Sequence, residues 1–442
     1  MRYIPHTEDD VRQMLEVVGA PNTDALFDPI PLALRLDRPL DLPPALSEQE
    51  LVRELSGLAA KNAHAESHDW FLGAGTYAHF IPSAIDALAS RGEFLTAYTP
   101  YQPELSQGTL QAIFEWQTMM SSLAGVEVAN ASMYDGASAS AEAVLMAMRV
   151  TRRQRVVIAP GLHPNTRAVV ETIVSGLQPE LVFLEEADSI EAAIDDTTAC
   201  VLMQRPDFFG RVGDLRVAAE AAHAHGALLV SVVAEALSLG LLASPGSEGA
   251  DIVCGEAQSF GVPMGLGGPH LGFLAARQKF VRQMPGRLVG ETVDQRGLRG
   301  FVLTLSTREQ HIRRERATSN ICTNQGLCLL RATIYLSLLG RVGLRQLAER
   351  NLAKAEYAKT RVRATAGLEL ADDAPTFNEF AVRVPDSAAA ALGRALEAGC
   401  VGGLDLGTLV PERADQVLVC TTEVVSREAI DRLVAALAGA EA

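Results

Sequence analysis

Lysine is scarce in this sequence: among 442 residues only Lys61, Lys279, Lys354 and Lys359 occur. Lysine and arginine together number 38 against 54 aspartates and glutamates, and the net charge is -16. A chain with this charge repels the phosphate backbone of nucleic acids and offers no broad basic face to it. We therefore expect no nucleic-acid partner.

The sequence also lacks the cysteine spacing that disulfide frameworks and zinc sites require. Its six cysteines form no C-x-x-C pair and show no metal-like spacing to the nine histidines. We expect no metal ion, and we expect reduced thiols in a cytoplasmic protein. The cysteines are Cys200, Cys254, Cys322, Cys328, Cys400 and Cys420.

No segment is typical of a targeting signal or a membrane span. The N-terminus, MRYIPHTEDD, has no apolar core and is acidic early, unlike secretory or transit peptides. The most hydrophobic run, residues 226–246, is interrupted by Glu235 and Gly240, which favours a buried strand followed by a helix. We expect no membrane contact.

The chain exceeds the roughly 250 to 300 residues at which a single core stops growing, so we expect one large domain with smaller units. Thr7 precedes three acidic residues, and Ser47 with Glu50 forms an S-x-x-E capping box, which predicts helices near the N-terminus. The hydrophobic patterns indicate three zones. They are a helical arm at 1–65, a large α/β domain at 66–340 and a small α/β domain at 341–442.

Short apolar runs alternate with helical patterns from about residue 126 to residue 276. Such runs are typical of strands buried on both faces, so we predict a mostly parallel sheet covered by helices. The runs are RVVIA at 155, LVFLE at 181, ACVLM at 199, LLVSVV at 228, DIVC at 251 and LGFLAA at 271. After about Gly340, a long Arg-rich helix, two apolar runs and two helices started by Asp386 and Ser426 predict the smaller α/β unit.

Two local features are candidate ligand sites. YDGASASAEA, from Tyr134, is a glycine-containing turn that opens a helix, where free N–H groups favour an anion. A plain N-cap by Ser138 or Ser140 is the alternative. His163 follows the first apolar run at the carboxyl edge of the sheet, where α/β folds bind ligands, although a purely structural role stays open.

Residues 96–108, TAYTPYQPELSQG, are a candidate for rigid recognition. The two prolines fix φ and push their neighbours toward extended conformations. Tyr98, Tyr101 and Gln102 would then be displayed from a backbone with little entropy left to lose. The alternative is a structural crossover with half-buried tyrosines.

Residues 306–326 combine a local positive patch with the polar residues Thr323 and Asn324. In an acidic protein this patch is unusual, and the alternative is a solvated helix face paired with neighbouring carboxylates. The patch consists of Arg308, His311, Arg313, Arg314 and Arg316.

The glycine-rich stretch at 255–275, GEAQSFGVPMGLGGPHLGFLA, looks like the floor of a cofactor pocket but holds no Lys, Cys or Asp. Together these segments resemble fold-type-I pyridoxal-phosphate (PLP) enzymes and, more narrowly, the N-terminal half of the glycine decarboxylase P-protein. Many bacteria split that protein into two chains, and this length is similar to that of the first. The motifs that carry the resemblance are FLGAGTYAHFIPS (71–83), YTPYQPELSQG (98–108), NASMYDGASASAEA (130–143), GADIVCGEAQSFGVPMGLGGPHLGFLA (249–275) and TREQHIRRERATSNICTNQ (307–325).

In the family that this chain resembles, the catalytic chain tethers PLP to a lysine after a large-domain strand and places an Asp on the preceding strand. Here Gln258 or Ser259 stands at the lysine position, and residues 231–233 fill the other strand end without an Asp. The resemblance therefore implies a subunit without covalent PLP, a vestigial cofactor pocket, and PLP on the partner subunit. The pocket residues would be Gly136, Ala137, Ser138, His163, Gln258 and Ser259.

The resemblance also implies the reaction and the partners. Glycine decarboxylase subunit 2 would decarboxylate the substrate glycine and transfer the aminomethyl group to the lipoyl arm of H-protein, in an assembly with two of each subunit. This chain would support the shared site and dock H-protein on the positive patch. The supporting candidates are Tyr98, Tyr101, Gln102, Thr323 and Asn324.

Two other functions stay open. The chain could be a purely structural or regulatory partner of a PLP enzyme that contributes no atoms to the active site. It could instead be an autonomous PLP enzyme with Lys279 as the tethering lysine, although the surrounding RQKFVRQMPGR, residues 277–287, has the pattern of an exposed helix.

Overall fold

The computed structural model describes residues 5–95 and 98–439. The chain divides into two compact units, residues 1–62 and 63–442. Of the stretch predicted to serve recognition, residues 96 and 97 lie outside the described residues.

The first unit contains the helices α1 (Glu8–Val18) and α2 (Glu48–Ala59). The side chains of Thr7 and Ser47 each accept a hydrogen bond from the third amide of the helix that follows. In return, the backbone N–H groups of Thr7 and Ser47 donate to the carboxylates of Asp10 and Glu50. These bonds satisfy amides that a helix leaves free at its start. Both helix starts expected from the sequence are confirmed.

The second unit is built around a large sheet with the predicted α/β character. In the described residues the order of its strands is β2-β8-β7-β6-β5-β3-β4; β3 to β7 are parallel, and β8 runs antiparallel to both neighbours. All six apolar runs form strands of this sheet, so the mostly parallel sheet is confirmed. The strands of the unit are β1 (Asp69–Trp70), β2 (Val128–Ala129), β3 (Arg155–Ile158), β4 (Glu180–Phe183), β5 (Thr198–Gln204), β6 (Leu228–Val233), β7 (Ile252–Glu256), β8 (Gly272–Ala276), β9 (Leu288–Val293), β10 (Arg299–Thr304), β11 (Glu369–Leu370), β12 (Glu379–Arg383), β13 (Cys400–Val401), β14 (Leu404–Asp405) and β15 (Gln416–Cys420).

Helices cover both faces of the large sheet and bury its apolar side chains. On one face, Trp116 and Phe273 lie in a core closed by α5, α9 and the start of α11; on the other, Met146 and Leu202 lie beneath α6 and α7. Each large side chain buried in this way stabilises the fold by roughly 1.5–3 kcal/mol. The helices are α3 (Ser83–Ala89), α4 (Gly92–Leu95), α5 (Gln107–Ala124), α6 (Gly136–Thr151), α7 (Pro164–Val174), α8 (Ile190–Ala193), α9 (Leu215–Ala224), α10 (Gln310–Arg313), α11 (Gly326–Arg363), α12 (Ala388–Glu397) and α13 (Arg427–Ala438).

The long helix α11 connects the large sheet to a smaller one and is kinked at Gly340, where φ is 59°. Tyr335, before the kink, lies in the core of the large sheet, and Val362, after it, lies in the core of the small sheet. Within the described residues, α11 is the one helix long and apolar enough to cross a membrane, by length and composition. The core helix of a globular protein has the same composition, and the buried face of α11 packs in this way.

The small sheet has the order β11-β12-β15-β14 and is antiparallel. Ser426 caps α13 as predicted, and its side chain accepts a hydrogen bond from Ala429 N at 3.1 Å. The predicted cap of α12 was wrong by one residue. Ser387 accepts from Ala390 N at 3.2 Å, whereas Asp386 pairs with Arg394 at 2.6 Å.

Candidate functional site

A cleft of about 360 Å³ lies at the carboxyl ends of the parallel strands β6 and β7, and we call it the sheet-edge pocket. Loop 74–76, the first residues of α6 and the start of α7 complete its walls. Of the predicted pocket residues, Gly136, Ala137 and His163 line it. This edge is where open α/β sheets bind ligands.

Two carboxylates already occupy the start of α6. The N-cap is Asp135, not Ser138 or Ser140, because the Asp135 carboxylate accepts the hydrogen bond from Ser138 N at 2.7 Å. Glu256 Oε2 accepts a second bond from Gly136 N at 2.9 Å. Only glycine permits this approach, since a Cβ on Gly136 would lie 2.9 Å from Glu256 N.

The Glu256 carboxylate is held by three backbone amides and a histidine. Besides the bond from Gly136, its Oε1 accepts from Gln258 N at 3.0 Å and from Leu271 N at 2.8 Å. His270 Nδ1 lies 3.3 Å from Oε2, and this hydrogen bond raises the pKa of His270. With 7% of its surface exposed, Glu256 is a buried anion whose bonds are made inside the chain.

His163 is satisfied by two backbone groups. Its Nδ1 accepts a hydrogen bond from Asn165 N at 3.1 Å, which caps α7, and its Nε2 lies 2.8 Å from the carbonyl oxygen of Ala74. Burial lowers the pKa of this imidazole. His163 therefore lines the pocket as a neutral residue that also ties α7 to loop 74–76.

The two residues at the predicted lysine position do not face the sheet-edge pocket. Gln258 is buried, accepts a hydrogen bond from Tyr77 N at 3.1 Å and donates to the carbonyl oxygens of Tyr77 and Val262. Ser259 is also buried, and neither residue lines the pocket. Gln258 instead fixes the segment that follows β7.

The lysines of the second unit lie elsewhere. Lys279 is 66% exposed and pairs at 3.7 Å with Asp251, which precedes β7 and so lies at the amino-terminal edge of the parallel strands. Lys354 donates to Glu423 O, and Lys359 pairs with Glu356. The geometry therefore argues against Lys279 as a tethering lysine. The helix expected at 277–287 is only a short 3-10 helix, Gln278–Gln283.

A buried acid cluster supports loop 74–76 from the side of the small sheet. His79 lies between Glu235, at 3.0 Å, and Glu423, at 2.8 Å. Burial alone would lower the pKa of His79, but the two carboxylates outweigh it and raise the pKa to about 10. Glu379 accepts from Ala74 N at 2.6 Å and from the Tyr77 hydroxyl at 2.7 Å, and burial raises its pKa to about 7.

A second group of polar side chains surrounds Arg287, and we call it the Arg287 cluster. Arg287 is 4% exposed and donates to the Tyr101 hydroxyl at 3.0 Å, to Asn324 Oδ1 at 3.1 Å and to Cys322 O at 2.9 Å. Its Nε lies 3.7 Å from Glu309. The structure thus brings together Tyr101 and Asn324, two of the five supporting candidates, although their predicted loops are far apart in sequence.

The other three candidates lie around this cluster rather than in it. Tyr98 is 83% exposed, Gln102 is exposed, and Thr323 is half-buried. The loop that carries Thr323 is anchored beside the start of α6, because Cys322 N donates to the Tyr134 hydroxyl at 3.1 Å. The Arg287 cluster and the sheet-edge pocket are therefore neighbours along one wall of the second unit.

The positive patch is smaller than predicted. Arg308 is buried and donates to backbone carbonyls, including that of Gly286 at 3.0 Å. Its charge is therefore not part of the surface patch. The exposed members of the patch are His311, Arg313, Arg314 and Arg316. The patch follows short helical turns rather than one helix face.

The sequence did not identify Glu256, Arg287 or the buried acid cluster as parts of the site. That cluster consists of His79, Glu235, Glu379 and Glu423. Glu256 lies within the glycine-rich stretch 255–275, and its acidic side chain among apolar neighbours was the sequence feature that could have identified it. Arg287 carried no such signal, because its partners lie far away in sequence. Among the described residues, no group of three or more His, Cys, Asp or Glu side chains could hold a metal ion.

The comparisons with known proteins agree with one another. A model of the family "Glycine cleavage system P-protein" matches residues 1–437. The probable glycine dehydrogenase (decarboxylating) subunit 1 of Sorangium cellulosum is 51% identical over 99% of both chains. A crystal structure of inhibitor-bound glycine decarboxylase (P-protein) superposes with a TM-score of 0.90 at 46% identity over 99% of both chains.

More distant structures share the fold alone. A glutamate decarboxylase of Lactobacillus brevis superposes with a TM-score of 0.67 at 12% identity, covering 91% of this chain and 95% of that one. The chain therefore has the fold-type-I architecture of PLP-dependent enzymes, as predicted.

The sheet-edge pocket does not fit the cofactor that this fold family uses. The start of α6, which would hold a phosphate, is filled by the carboxylates of Asp135 and Glu256. The lysines of the second unit, Lys279, Lys354 and Lys359, do not line the pocket. The end of β6 offers Val232 and Val233 where an acid would be needed.

Proposed function

The chain belongs to the glycine cleavage system P-protein family, and from this premise we propose that it is the first subunit of a two-chain glycine dehydrogenase (decarboxylating). In this proposal the second subunit carries PLP and decarboxylates glycine. The aminomethyl group then passes to the lipoyl arm of H-protein. The present chain has no cofactor of its own and supports the site of its partner.

One observation supports the proposal that the second subunit, and not this chain, holds PLP. The pocket in which a fold-type-I enzyme would hold its cofactor contains a buried carboxylate, Glu256, a half-buried one, Asp135, and no lysine. A phosphate at that position would lie against like charges with no amine to tether the aldehyde. The pocket is therefore vestigial, and its remaining role is to hold the surrounding loops.

We propose that the Arg287 cluster is the part of the chain that reaches the shared site. Tyr101 and Asn324 are fixed by Arg287, while Tyr98 and Gln102 project from the same proline-rich segment. Fixed, partly exposed aromatic and amide groups lose little entropy when a partner surface or a lipoyl arm binds. Thr323 lies in the adjacent loop and belongs to the same surface.

The remaining elements of the proposal concern assembly. We propose two copies of each subunit, in the reduced environment of the cytoplasm, with all six cysteines as free thiols. The exposed patch formed by His311, Arg313, Arg314 and Arg316 is the candidate docking face for the lipoylated H-protein. The division into an arm at 1–65, a large domain at 66–340 and a small domain at 341–442 stays a proposal.

A purely structural or regulatory partner is the second candidate, favoured by the inward orientation of Gln258. Glycine–CO2 exchange separates the candidates when measured on this chain alone, on the second subunit alone and on the reconstituted complex. The proposal predicts exchange only in the complex. Full exchange by the second subunit alone would reduce this chain to a structural role, and exchange by this chain alone would contradict the proposal.

A further inference from the structure

The N-terminus of α6 opens into the sheet-edge pocket and would ordinarily attract an anion. The first amides of a helix have no partner within it, and the helix dipole adds positive potential at this end. In this chain two side-chain carboxylates occupy that position. Asp135 accepts a hydrogen bond from Ser138 N, and Glu256 accepts one from Gly136 N.

Glu256 does more than cap a helix. Its two oxygens accept hydrogen bonds from amides of three separate segments: Gly136 at the start of α6, Gln258 in the turn after β7, and Leu271 just before β8. The His270 imidazole adds a fourth polar contact. Three convergent amides and an imidazole are what a bound phosphate would require, and here a side-chain carboxylate uses them all.

The approach of the backbone leaves no room for a second anion between Gly136 and the Glu256 carboxylate. The Cβ that a larger residue would carry at position 136 would meet Glu256 N at 2.9 Å, so α6 sits directly on the end of β7. A phosphate would have to displace the carboxylate or lie beside it, where like charges repel.

We propose that Glu256 is a built-in anion that occupies the phosphate position of the sheet-edge pocket and makes the chain reject phosphate-bearing ligands, PLP among them. The inference rests on the proposed function for its biological meaning, because rejection by this chain leaves the cofactor to the catalytic subunit. Removing the carboxylate frees three convergent amides, and the pocket then accepts phosphate.

The test measures binding to the full-length chain by titration calorimetry. Two probes are used: inorganic phosphate, and pyridoxine 5′-phosphate, which lacks the aldehyde and so cannot react with surface lysines. We expect no saturable binding to the wild type and saturable binding of both probes to Glu256→Ala, at least about tenfold tighter than the weakest affinity that the wild-type titration would detect. Glu142→Gln is the matched control, because Glu142 is a buried acid on the same helix away from its N-terminus, and it is expected to gain nothing.

Glu256→Gln serves where Glu256→Ala fails to fold. Its amide oxygen can keep the bonds from Gln258 and Leu271, while its NH2 group cannot accept from Gly136, so it is expected to gain weaker phosphate binding. Saturable binding of either probe to the wild type overturns the inference, as does a folded Glu256 variant that binds no better than the wild type. Exchange activity of the wild-type complex is a separate readout, so failure of the proposed function would be recognised independently.

Discussion

The sheet-edge pocket and the Arg287 cluster are neighbours, but their buried polar groups are satisfied in different ways. In the pocket, the carboxylates of Asp135 and Glu256 and both nitrogens of His163 have partners within the chain. In the cluster, Arg287 Nε, Glu309 Oε1 and Asn324 Nδ2 are buried without a hydrogen-bond partner among the described residues.

Unpaired buried polar atoms cost free energy and are rare in finished cores. The pocket's carboxylates and His163 are thus satisfied within this chain, and we propose that a ligand or a second chain completes the Arg287 cluster. Variants on the two sides should accordingly differ: pocket variants should affect stability, and cluster variants should also affect the activity of the complex.

The largest effect on stability is expected from His79→Gln, which removes the cation that supports the pocket side. Glu235 and Glu423 would then face each other as buried carboxylates, a loss of roughly 3–5 kcal/mol in the free energy of unfolding. Urea unfolding of the full chain measures it. The control is His225→Gln, whose exposed pair with Asp196 should cost less than about 1 kcal/mol. Equal losses in both variants would contradict the account.

The buried acid cluster around His79 and Glu379 also makes the stability of the chain depend on pH. The pKa of His79 is about 10 in the folded chain against an ordinary 6.5, so its contribution is full below pH 6.5 and is lost as pH rises through 10. The pKa of Glu379 is about 7 against an ordinary 4.5, so its contribution is lost as pH rises from 4.5 through 7. The free energy of unfolding should fall from pH 5 to pH 10, and His79→Gln should flatten the part above pH 7.

The second-largest effect on stability is expected from Arg287→Ala, which removes the central side chain of the Arg287 cluster. Glu309 would be left buried without its cation, and Tyr101 and Asn324 would lose their anchor, at a cost of roughly 3 kcal/mol. Exchange by the assembled complex should fall at least about tenfold, because the displayed side chains are no longer fixed. Arg287→Lys keeps the charge without the planar fork and should be intermediate. Unchanged exchange at intact assembly would contradict the role of the cluster.

A smaller effect is expected from Tyr101→Phe and Tyr98→Phe. Tyr101→Phe removes the hydrogen bond from Arg287 and should cost about 1 kcal/mol of stability. Tyr98 is exposed, so Tyr98→Phe should leave the stability of the isolated chain unchanged, and a loss of exchange in this variant reports a contact with the partner or its substrate. If exchange is unchanged in both variants, the structural partner is the better description.

The smallest effect is expected from Asp135→Ala in the pocket. Loss of this N-cap should cost about 1 kcal/mol in thermal or urea unfolding. Exchange by the assembled complex should stay at the wild-type level, because the pocket holds loops rather than reactants. A loss of exchange equal to that of Arg287→Ala would erase the distinction between the two regions.

Much of the fold could be predicted because its signals are local. A strand buried on both faces must be apolar throughout, and all six such runs form strands of the large sheet. Helix caps were predictable where one suitable side chain preceded the helix, as at Ser47 and Ser426. Where two stood together, at Asp386 and Ser387, only the backbone geometry decides which one caps.

The site was less predictable because its contacts are distant in sequence. Glu256 reaches an amide 120 residues away, and Arg287 reaches a hydroxyl 186 residues away. No pattern within a window of sequence contains both ends of such a bond. The same reason explains Arg308, which looked like surface charge but donates to carbonyls of a segment more than twenty residues earlier.

Co-purification of the two subunits, followed by their separation and by measurement of PLP on each chain by mass spectrometry and absorbance, tests whether this chain holds no cofactor. The account predicts all of the cofactor on the second subunit. Stoichiometric pyridoxal phosphate on this chain, bound to a lysine or held in the sheet-edge pocket, would contradict it.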